Sequence, residues 1–191
     1  MKYKDNMMIH EAIIFAAKAH EGQKRKETDI DYLSHPMEVL AILADADADA
    51  NLQIAGILHD TIEDTGKKAE DIGEMFGQDV QNLVDGHSED KSKSWKERKQ
   101  KNIDLTKDGD IRYKLLIASD MLSNIRSMYA DYQQIGDELW KRFNAGYEDE
   151  SWYYNGLMDA LSPLGTEDQS DAVRKIYDEI CDLTRELFPE K

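Results

Sequence analysis

Residues that cross-link or interrupt a chain are scarce in this sequence. Its one cysteine, Cys181, cannot form an internal disulfide, and this favours a reducing compartment such as the cytoplasm. Only 3 prolines occur among the 191 residues. Valine is also rare and the apolar residues recur at a helical period, so β-strands have little support.

Long apolar runs and an excess of cations are missing as well. No run approaches the roughly 20 apolar residues of a membrane-spanning helix, and the apolar stretch at 12–17 is too short for a secretion signal. The 24 Lys and Arg residues face 40 Asp and Glu residues, which leaves a formal net charge of −16. We therefore expect no membrane and no nucleic acid as partner, and a polyanionic substrate would need a local basic patch.

What is present is typical of a single all-α domain over residues 1–191. With 40 % apolar residues, a chain of 191 can bury one sizeable core, and no linker, repeat or charge block marks a boundary. The apolar spacing predicts a helical bundle. Its main helices are expected at about residues 6–20, from 36 onward, and at about 51–64, 110–129 and 171–188.

Polar side chains occur at a few helical positions that matter for function. Pro36 suits the first position of a helix, which would make His35 its N-cap. His59 falls on the apolar face of its helix. A carboxylate buried in the most apolar helix needs a cation, a metal or strong donors beside it. That helix has three polar residues along one line, namely Asp120, Asn124 and Ser127.

The motif His59-Asp60-x-x-Glu63-Asp64 is the strongest chemical signal. On a helix its three carboxylates lie at i, i+3 and i+4, so each raises the cost of ionising the others, and a divalent cation relieves that repulsion. Neutral imidazoles together with carboxylates suit Mn²⁺, Fe²⁺, Co²⁺ or Zn²⁺. We therefore predict a metal site with open coordination positions, formed by His35, His59, Asp60 and Asp120.

Such an ion suits the hydrolysis of phosphate esters. It lowers the pKa of a bound water from 15.7 toward roughly 7 and polarises a phosphoryl oxygen. Glu63 and Asp64 would orient or deprotonate the water, or protonate the leaving oxygen. Basic residues that could meet the phosphates occur in Lys24-Arg25-Lys26 and in segment 91–101.

Each of these signals has an ordinary structural alternative. Taken alone, His59 could be a hydrogen-bonded core histidine, Asp120 could pair with a core cation, and His35 could be a helix cap. The basic segments could be solvated faces. The remaining histidines are interpreted as structural: His10, His20 and His87.

Several segments share the order and spacing of a known family. They are Ala19-His20-Glu21-Gly22-Gln23, Arg25-Lys26, Tyr32, His35-Pro36, His59-Asp60-x-x-Glu63-Asp64-Thr65, Phe76-Gly77, Leu83-Val84-Asp85-Gly86 and Ala118-Ser119-Asp120-x-x-x-Asn124-x-Arg126. In these residues the chain resembles the HD-superfamily hydrolase domain of the RelA/SpoT homologues, and most of all the standalone small alarmone hydrolases. The resemblance covers about residues 6–130 and is loose over 131–188.

The resemblance implies an all-helical HD domain that uses Mn²⁺ to remove the 3′-diphosphate of guanosine tetra- or pentaphosphate, releasing pyrophosphate and GDP or GTP. It assigns the metal to the same four residues as above and makes Glu63 and Asp64 the catalytic pair. It also implies substrate contacts: purine stacking by Arg25, phosphate contacts by Lys26 and Lys91, and nucleoside contacts by Asn124 and Ser127.

Three stretches depart from the family pattern. Glu27, which lies outside the residues that the structure describes, stands where a small residue is common after Arg-Lys. Met121 and Ser123 stand where Arg and His are common, and Gly86-His87-Ser88 lacks the usual Val-Thr pair. These differences concern the identity of the substrate and not the metal chemistry. Three alternatives stay open: an HD phosphohydrolase acting on another nucleotide phosphate, a non-catalytic metal- or nucleotide-binding helical module, and a metal-free helical interaction protein. No feature of the sequence indicates an oligomeric state.

Overall fold

The computed structural model describes residues 3–26 and 28–189, and these residues form helices joined by turns. Within those two ranges the only strand-like pairing is an isolated antiparallel bridge between Lys24 and Asp31. The predicted all-α fold is therefore confirmed. None of the described helices combines the length and the apolar character that crossing a bilayer requires.

The chain divides into two compact units, Met1–Glu89 and Asp90–Lys191. A single domain over residues 1–191 stays a prediction. In the described part of the first unit the helices are α1 (Tyr3–Ala19), α2 (Ser34–Asp45), α3 (Ala50–Leu58), α4 (Thr61–Thr65), α5 (Ala69–Phe76) and α6 (Gln78–His87).

Helix α3 is the most buried element of the first unit and packs against α1, α2 and α6. Asp49 caps its start, because the Asp49 carboxylate accepts the backbone N–H of Leu52 at 3.0 Å. The side chains of α3 that are at most 2 % exposed are Leu52, Ile54, Ala55, Ile57 and Leu58. This helix therefore provides a rigid base for the residues that follow it.

A glycine sets the close approach of α2 to α3. A Cβ atom added at Gly56 would lie 2.4 Å from Leu43 Cδ1 and 3.3 Å from Val39 Cγ1, so a larger residue would have to push these side chains away. The contact packs the middle and the end of α2 against α3. His35 lies in the first turn of α2, and His59 directly follows α3.

The prediction of one continuous helix at 51–64 is wrong, because the structure divides this segment into two helices. Helix α3 ends at Leu58 and α4 begins at Thr61, so His59 and Asp60 lie in the turn between them. The Thr61 hydroxyl donates to the Leu58 carbonyl oxygen at 2.7 Å. That bond satisfies a carbonyl that the interrupted helix leaves without its usual partner.

The start of α2 also differs from the prediction. The helix begins at Ser34, so His35 is its second residue and not its N-cap. Pro36 still lies in the first turn, where its missing N–H needs no helical partner. As a result, His35 is part of the regular helix and its side chain is buried, with 2 % exposure.

The second unit contains a long helix that agrees with the sequence prediction at 110–129 and extends beyond it. Asp110 caps this helix by accepting the backbone N–H of Tyr113 at 2.8 Å. The helices of this unit are α7 (Trp95–Asp108), α8 (Ile111–Ile135), a 3-10 helix (Gly136–Arg142), α9 (Gly146–Ala160), a second 3-10 helix (Ser162–Gly165) and α10 (Asp171–Leu187).

Helices α8 and α10 form the main packing pair of the second unit. Leu122 and Ile125 of α8 and Ile180 of α10 are at most 1 % exposed. At the edge of this contact the Arg126 guanidinium donates to both carboxylate oxygens of Glu179, each at 2.7 Å. This two-point bond fixes the register of the two helices more firmly than a single contact would.

Candidate metal centre

The geometry of the His59 ring follows from the turn between α3 and α4. Its Nδ1 lies 2.8 Å from the carbonyl oxygen of Gly56. A carbonyl oxygen only accepts hydrogen bonds, so Nδ1 carries a proton and Nε2 is the ring nitrogen that can offer a lone pair to a cation. Metal-binding histidines are oriented by bonds of this kind.

Two further potential ligand atoms lie close to that Nε2. His35 Nε2 lies 3.2 Å from His59 Nε2. Asp60 Oδ2 lies 3.0 Å from His59 Nε2 and 3.5 Å from His35 Nε2. The side chains of His35, His59 and Asp60 are 1 %, 0 % and 14 % exposed, so the three atoms meet at the edge of the core.

These spacings fit a divalent ion. Imidazole nitrogens and carboxylate oxygens bind zinc-like ions at about 2.0–2.2 Å, so ligand atoms at octahedral or tetrahedral angles lie about 2.8–3.6 Å from one another. The three observed separations of 3.0, 3.2 and 3.5 Å lie within that range. The structure therefore brings together His35, His59 and Asp60, which the sequence predicts as ligands.

The charge of Asp60 is well stabilised in this position. Burial by itself would raise the pKa of Asp60, but the imidazoles of His59 and His35 beside it hold that pKa well below its usual value. The carboxyl group is therefore ionised at neutral pH and is available to balance the charge of a cation.

Tyr32 is a contributor to the site whose role the sequence did not reveal. Its hydroxyl donates to Asp60 Oδ2 at 2.5 Å. Its ring packs against His35 and His20, with centroid separations of 5.8 and 5.0 Å. The only signal was the presence of Tyr32 in the family motif, which did not indicate what it contacts.

The predicted catalytic pair lies on α4. The backbone N–H of Asp64 donates to the carbonyl of Asp60 at 2.9 Å, which is the first helical hydrogen bond of α4. One carboxylate oxygen of Glu63 accepts the backbone N–H of Glu89 at 3.3 Å. Glu63 is partly buried and Asp64 is exposed. Their catalytic roles remain predictions.

The basic loop before α2 is held by its own main chain. Arg25 N–H donates to the carbonyl of Ile30, and Tyr32 N–H to that of Gln23, both at 2.9 Å. Arg25 is partly buried and Lys26 is exposed. Their expected contacts with substrate remain predictions.

The other predicted residues belong to the second unit. Asn124 Nδ2 donates to Asp120 Oδ1 at 2.7 Å, which provides the strong donor that the sequence argument required for this carboxylate. Asp120 is partly exposed and not fully buried as expected, while Ser127 and Lys91 are exposed. The metal role of Asp120 and the substrate roles of the other three remain predictions.

The chain matches a family of known proteins over most of its length. A family model described as an HD domain matches residues 12–145. Over 127 residues the chain is 36 % identical to the guanosine-3′,5′-bis(diphosphate) 3′-pyrophosphohydrolase MESH1 of Xenopus tropicalis, covering 65 % of this chain and 71 % of that protein. Over 130 residues it is 37 % identical to a GTP pyrophosphokinase of Myxococcus xanthus, covering 63 % of this chain but only 17 % of that longer protein.

Solved structures are similar as well. The crystal structure of lmo0812 from Listeria monocytogenes has a TM-score of 0.74 and 32 % identity, covering 82 % of this chain and 99 % of the other. A metazoan ortholog of SpoT, described as hydrolysing ppGpp and acting in starvation responses, has a TM-score of 0.73 and 27 % identity, covering 92 % and 94 %.

Proposed function

Because the chain belongs to the HD-domain family, we propose that it removes the 3′-diphosphate from guanosine tetra- or pentaphosphate, releasing pyrophosphate and GDP or GTP. The similarity to the Xenopus pyrophosphohydrolase and to the metazoan SpoT ortholog supports this substrate. The observation that carries the proposal is the convergence of His35, His59 and Asp60 within 3.5 Å of one another.

Residues His35, His59, Asp60 and Asp120 hold the divalent ion of this site. When bound, such an ion activates water and polarises a phosphoryl oxygen. The mixed set of imidazoles and carboxylates is compatible with Mn²⁺, the metal proposed here. The bond from Nδ1 of His59 to Gly56 and the ionised state of Asp60 prepare two of these ligands before the ion arrives.

The reaction needs groups that move protons. Water forms a bond to phosphorus and loses a proton, while the ribose 3′ oxygen leaves with the electrons of the broken P–O bond and gains a proton. Of Glu63 and Asp64, one accepts the proton that the water loses and the other donates the proton that the 3′ oxygen gains. Glu63 is oriented by the backbone N–H of Glu89, and the exposed Asp64 can exchange its proton with solvent.

Basic and polar residues bind the nucleotide. Arg25 stacks on the purine, and Lys26 and Lys91 meet the phosphates. Asn124 and Ser127 contact the nucleoside. Charges farther than about 8 Å are screened at physiological ionic strength, so nearby cations can attract the substrate although the chain as a whole carries −16.

The protein acts in the cytoplasm on a small molecule, with neither nucleic acid nor a membrane as partner. The free thiol of Cys181 is buried with 6 % exposure, and burial raises the pKa of that thiol, which makes it a poor nucleophile. A single unreactive cysteine and a net charge of −16 both support this proposal.

A substrate panel tests the proposed function. Purified full-length protein is incubated with Mn²⁺ and guanosine tetraphosphate, guanosine pentaphosphate, GTP and other nucleoside triphosphates, and the products are separated by ion-exchange chromatography. We expect pyrophosphate with GDP or GTP from the two guanosine polyphosphates. The Asp60→Asn variant should be inactive, while Asp45→Asn on the exposed end of α2 should be fully active.

The other outcomes of this panel separate the alternatives. Turnover of other nucleotides alone would identify an HD phosphohydrolase of different specificity. A bound metal with no turnover of any nucleotide would identify a non-catalytic binding module. A protein that retains no metal after dialysis against Mn²⁺ would contradict the metal site itself.

A further inference from the structure

A third imidazole lies next to the metal centre. His87 is the last residue of α6 and is 9 % exposed. Its ring stands edge-on to the ring of His59, with centroids 5.0 Å apart and an interplanar angle of 79°. One ligand atom each from His59, Asp60 and His87 lie within 4.8 Å of one another.

The group that contains His87 shares two residues, His59 and Asp60, with the trio that contains His35. Whether the two groups bind one ion or two depends on which nitrogen of His59 can act as a ligand. Nδ1 of His59 donates its proton to the Gly56 carbonyl, so Nε2 is the one ring nitrogen that can bind a cation. A nitrogen lone pair binds one ion. The two groups therefore surround a single ion and not a pair of separate ions.

We propose that His87 is a further ligand of this ion, so that the first unit alone contributes three imidazoles and one carboxylate. This inference rests on the proposed function for the presence of the ion. It concerns a histidine that the sequence alone led us to interpret as structural.

A third imidazole changes which metals the site prefers. Imidazole suits Fe²⁺, Co²⁺ and Zn²⁺, whereas oxygen ligands suit Mn²⁺. With His87 bound, the site should gain more affinity for Co²⁺ and Zn²⁺ than for Mn²⁺. Loss of His87 should therefore reduce the affinity for Co²⁺ strongly and the affinity for Mn²⁺ less.

The competing explanation is that His87 only packs at the end of α6. A cationic or polar side chain in the last turn of a helix interacts favourably with the helix dipole, without any role for a metal. That explanation predicts a change in thermal stability of the metal-free protein, with metal binding unaltered. The two explanations thus differ in a property other than enzymatic activity.

The test is a Co²⁺ titration of the metal-free full-length protein, followed by visible absorption and by competition with Mn²⁺. The variants are His87→Val and His87→Gln, and the control is His10→Gln, which alters an exposed histidine on α1. We expect both His87 variants to bind Co²⁺ at least about 10-fold more weakly, with altered d–d absorption bands, and the control to match the parent. An unchanged spectrum overturns the inference even if affinity falls, since altered packing would explain that result.

Pulsed electron paramagnetic resonance of the Mn²⁺-loaded parent provides a second measurement that needs no variant. Coupling to three imidazole nitrogens is expected, and coupling to only two would overturn the inference. Hydrolysis of guanosine tetraphosphate is measured separately. Three couplings without hydrolysis would reject the proposed function and keep this inference, and two couplings with hydrolysis would do the reverse.

Discussion

The hydroxyl group of Tyr32 donates a hydrogen bond to the same carboxylate oxygen of Asp60 that faces His35 and His59. The bond ties the end of the basic loop to the turn that contains two of the proposed ligands. It also fixes the orientation of the carboxylate, because the oxygen that accepts from Tyr32 is the one nearest both imidazoles. Loss of the hydroxyl should therefore affect the metal before it affects the fold.

The Tyr32→Phe variant should bind Mn²⁺ about 10- to 100-fold more weakly, which is the usual effect of removing a group that orients a metal ligand. Isothermal titration calorimetry of the metal-free protein measures this. The control is Tyr129→Phe, which removes a hydroxyl from α8 in the second unit. Equal affinities in all three proteins would contradict an orienting role for Tyr32.

The Gly56→Ala variant should lose about 1–3 kcal/mol of unfolding free energy, because the new methyl group meets Leu43 and Val39 in a filled core. It should also weaken Mn²⁺ binding, since α2 contains His35 and α3 leads directly into His59. Urea unfolding and calorimetry measure the two effects.

Gly73→Ala is the matched control for that variant. A Cβ atom at Gly73 would meet the end of the Gln81 side chain, which can turn away toward solvent. A smaller loss of stability and unchanged metal affinity are therefore expected. If both alanine variants lose the same stability, the contact at Gly56 is not the special feature that we infer.

The Glu63→Gln variant should lower kcat about 10²- to 10⁴-fold, the typical contribution of a general acid or base. The amide keeps the shape of the side chain and its bond from the Glu89 N–H, so Mn²⁺ affinity should stay within twofold. Glu74→Gln on the exposed side of α5 is the control. Unchanged turnover by the Glu63→Gln variant with metal bound would contradict a catalytic role for Glu63.

Metal binding should stabilise the fold, because the ligands come from separate segments. At a free Mn²⁺ concentration 100 times Kd, the gain is about 2.7 kcal/mol, or roughly 5 °C or more in unfolding temperature. Removal of the ion with a chelator should reverse the shift. The Asp60→Asn variant should show no shift, and Asp45→Asn should show all of it.

Two tyrosines with raised pKa values should make the fold less stable at alkaline pH. Burial raises the pKa of Tyr113 to about 12, and burial together with Cys181 raises that of Tyr177 to about 12. The ordinary value is about 10, so the unfolded chain ionises first and stability falls as the pH rises from about 10 to about 12. Absorbance of the phenolate at 295 nm should show two late-titrating tyrosines, one of which is lost in Tyr113→Phe.

The sequence could indicate candidate ligands because short motifs and helical spacing are local properties. His35, His59 and Asp60 were named as ligands, and the structure brings them together. The break at His59 and Asp60 was missed for a physical reason. Both residues keep right-handed helical φ and ψ angles, −54° and −37° for His59 and −93° and −3° for Asp60, so the apolar periodicity continues across the turn.

Contacts between residues far apart in the chain could not be predicted from the sequence. Tyr32 and Asp60 are 28 positions apart, and no spacing rule connects a loop to a turn at that distance. His87 illustrates the same limit, because its contact with His59 depends on how α6 packs against α3. The N-cap assigned to His35 was wrong because Pro36 fits any position in the first turn, not only the first.

The main-chain bonds that close the loop from Gln23 to Tyr32 have a consequence for affinity. They join the ends of the segment that presents Arg25 and Lys26, so its backbone is already confined before a nucleotide arrives. A preorganised loop loses little conformational entropy on association, and more of the contact energy appears as binding. If Arg25 and Lys26 contact the substrate, little of its binding energy would then be spent on ordering this segment.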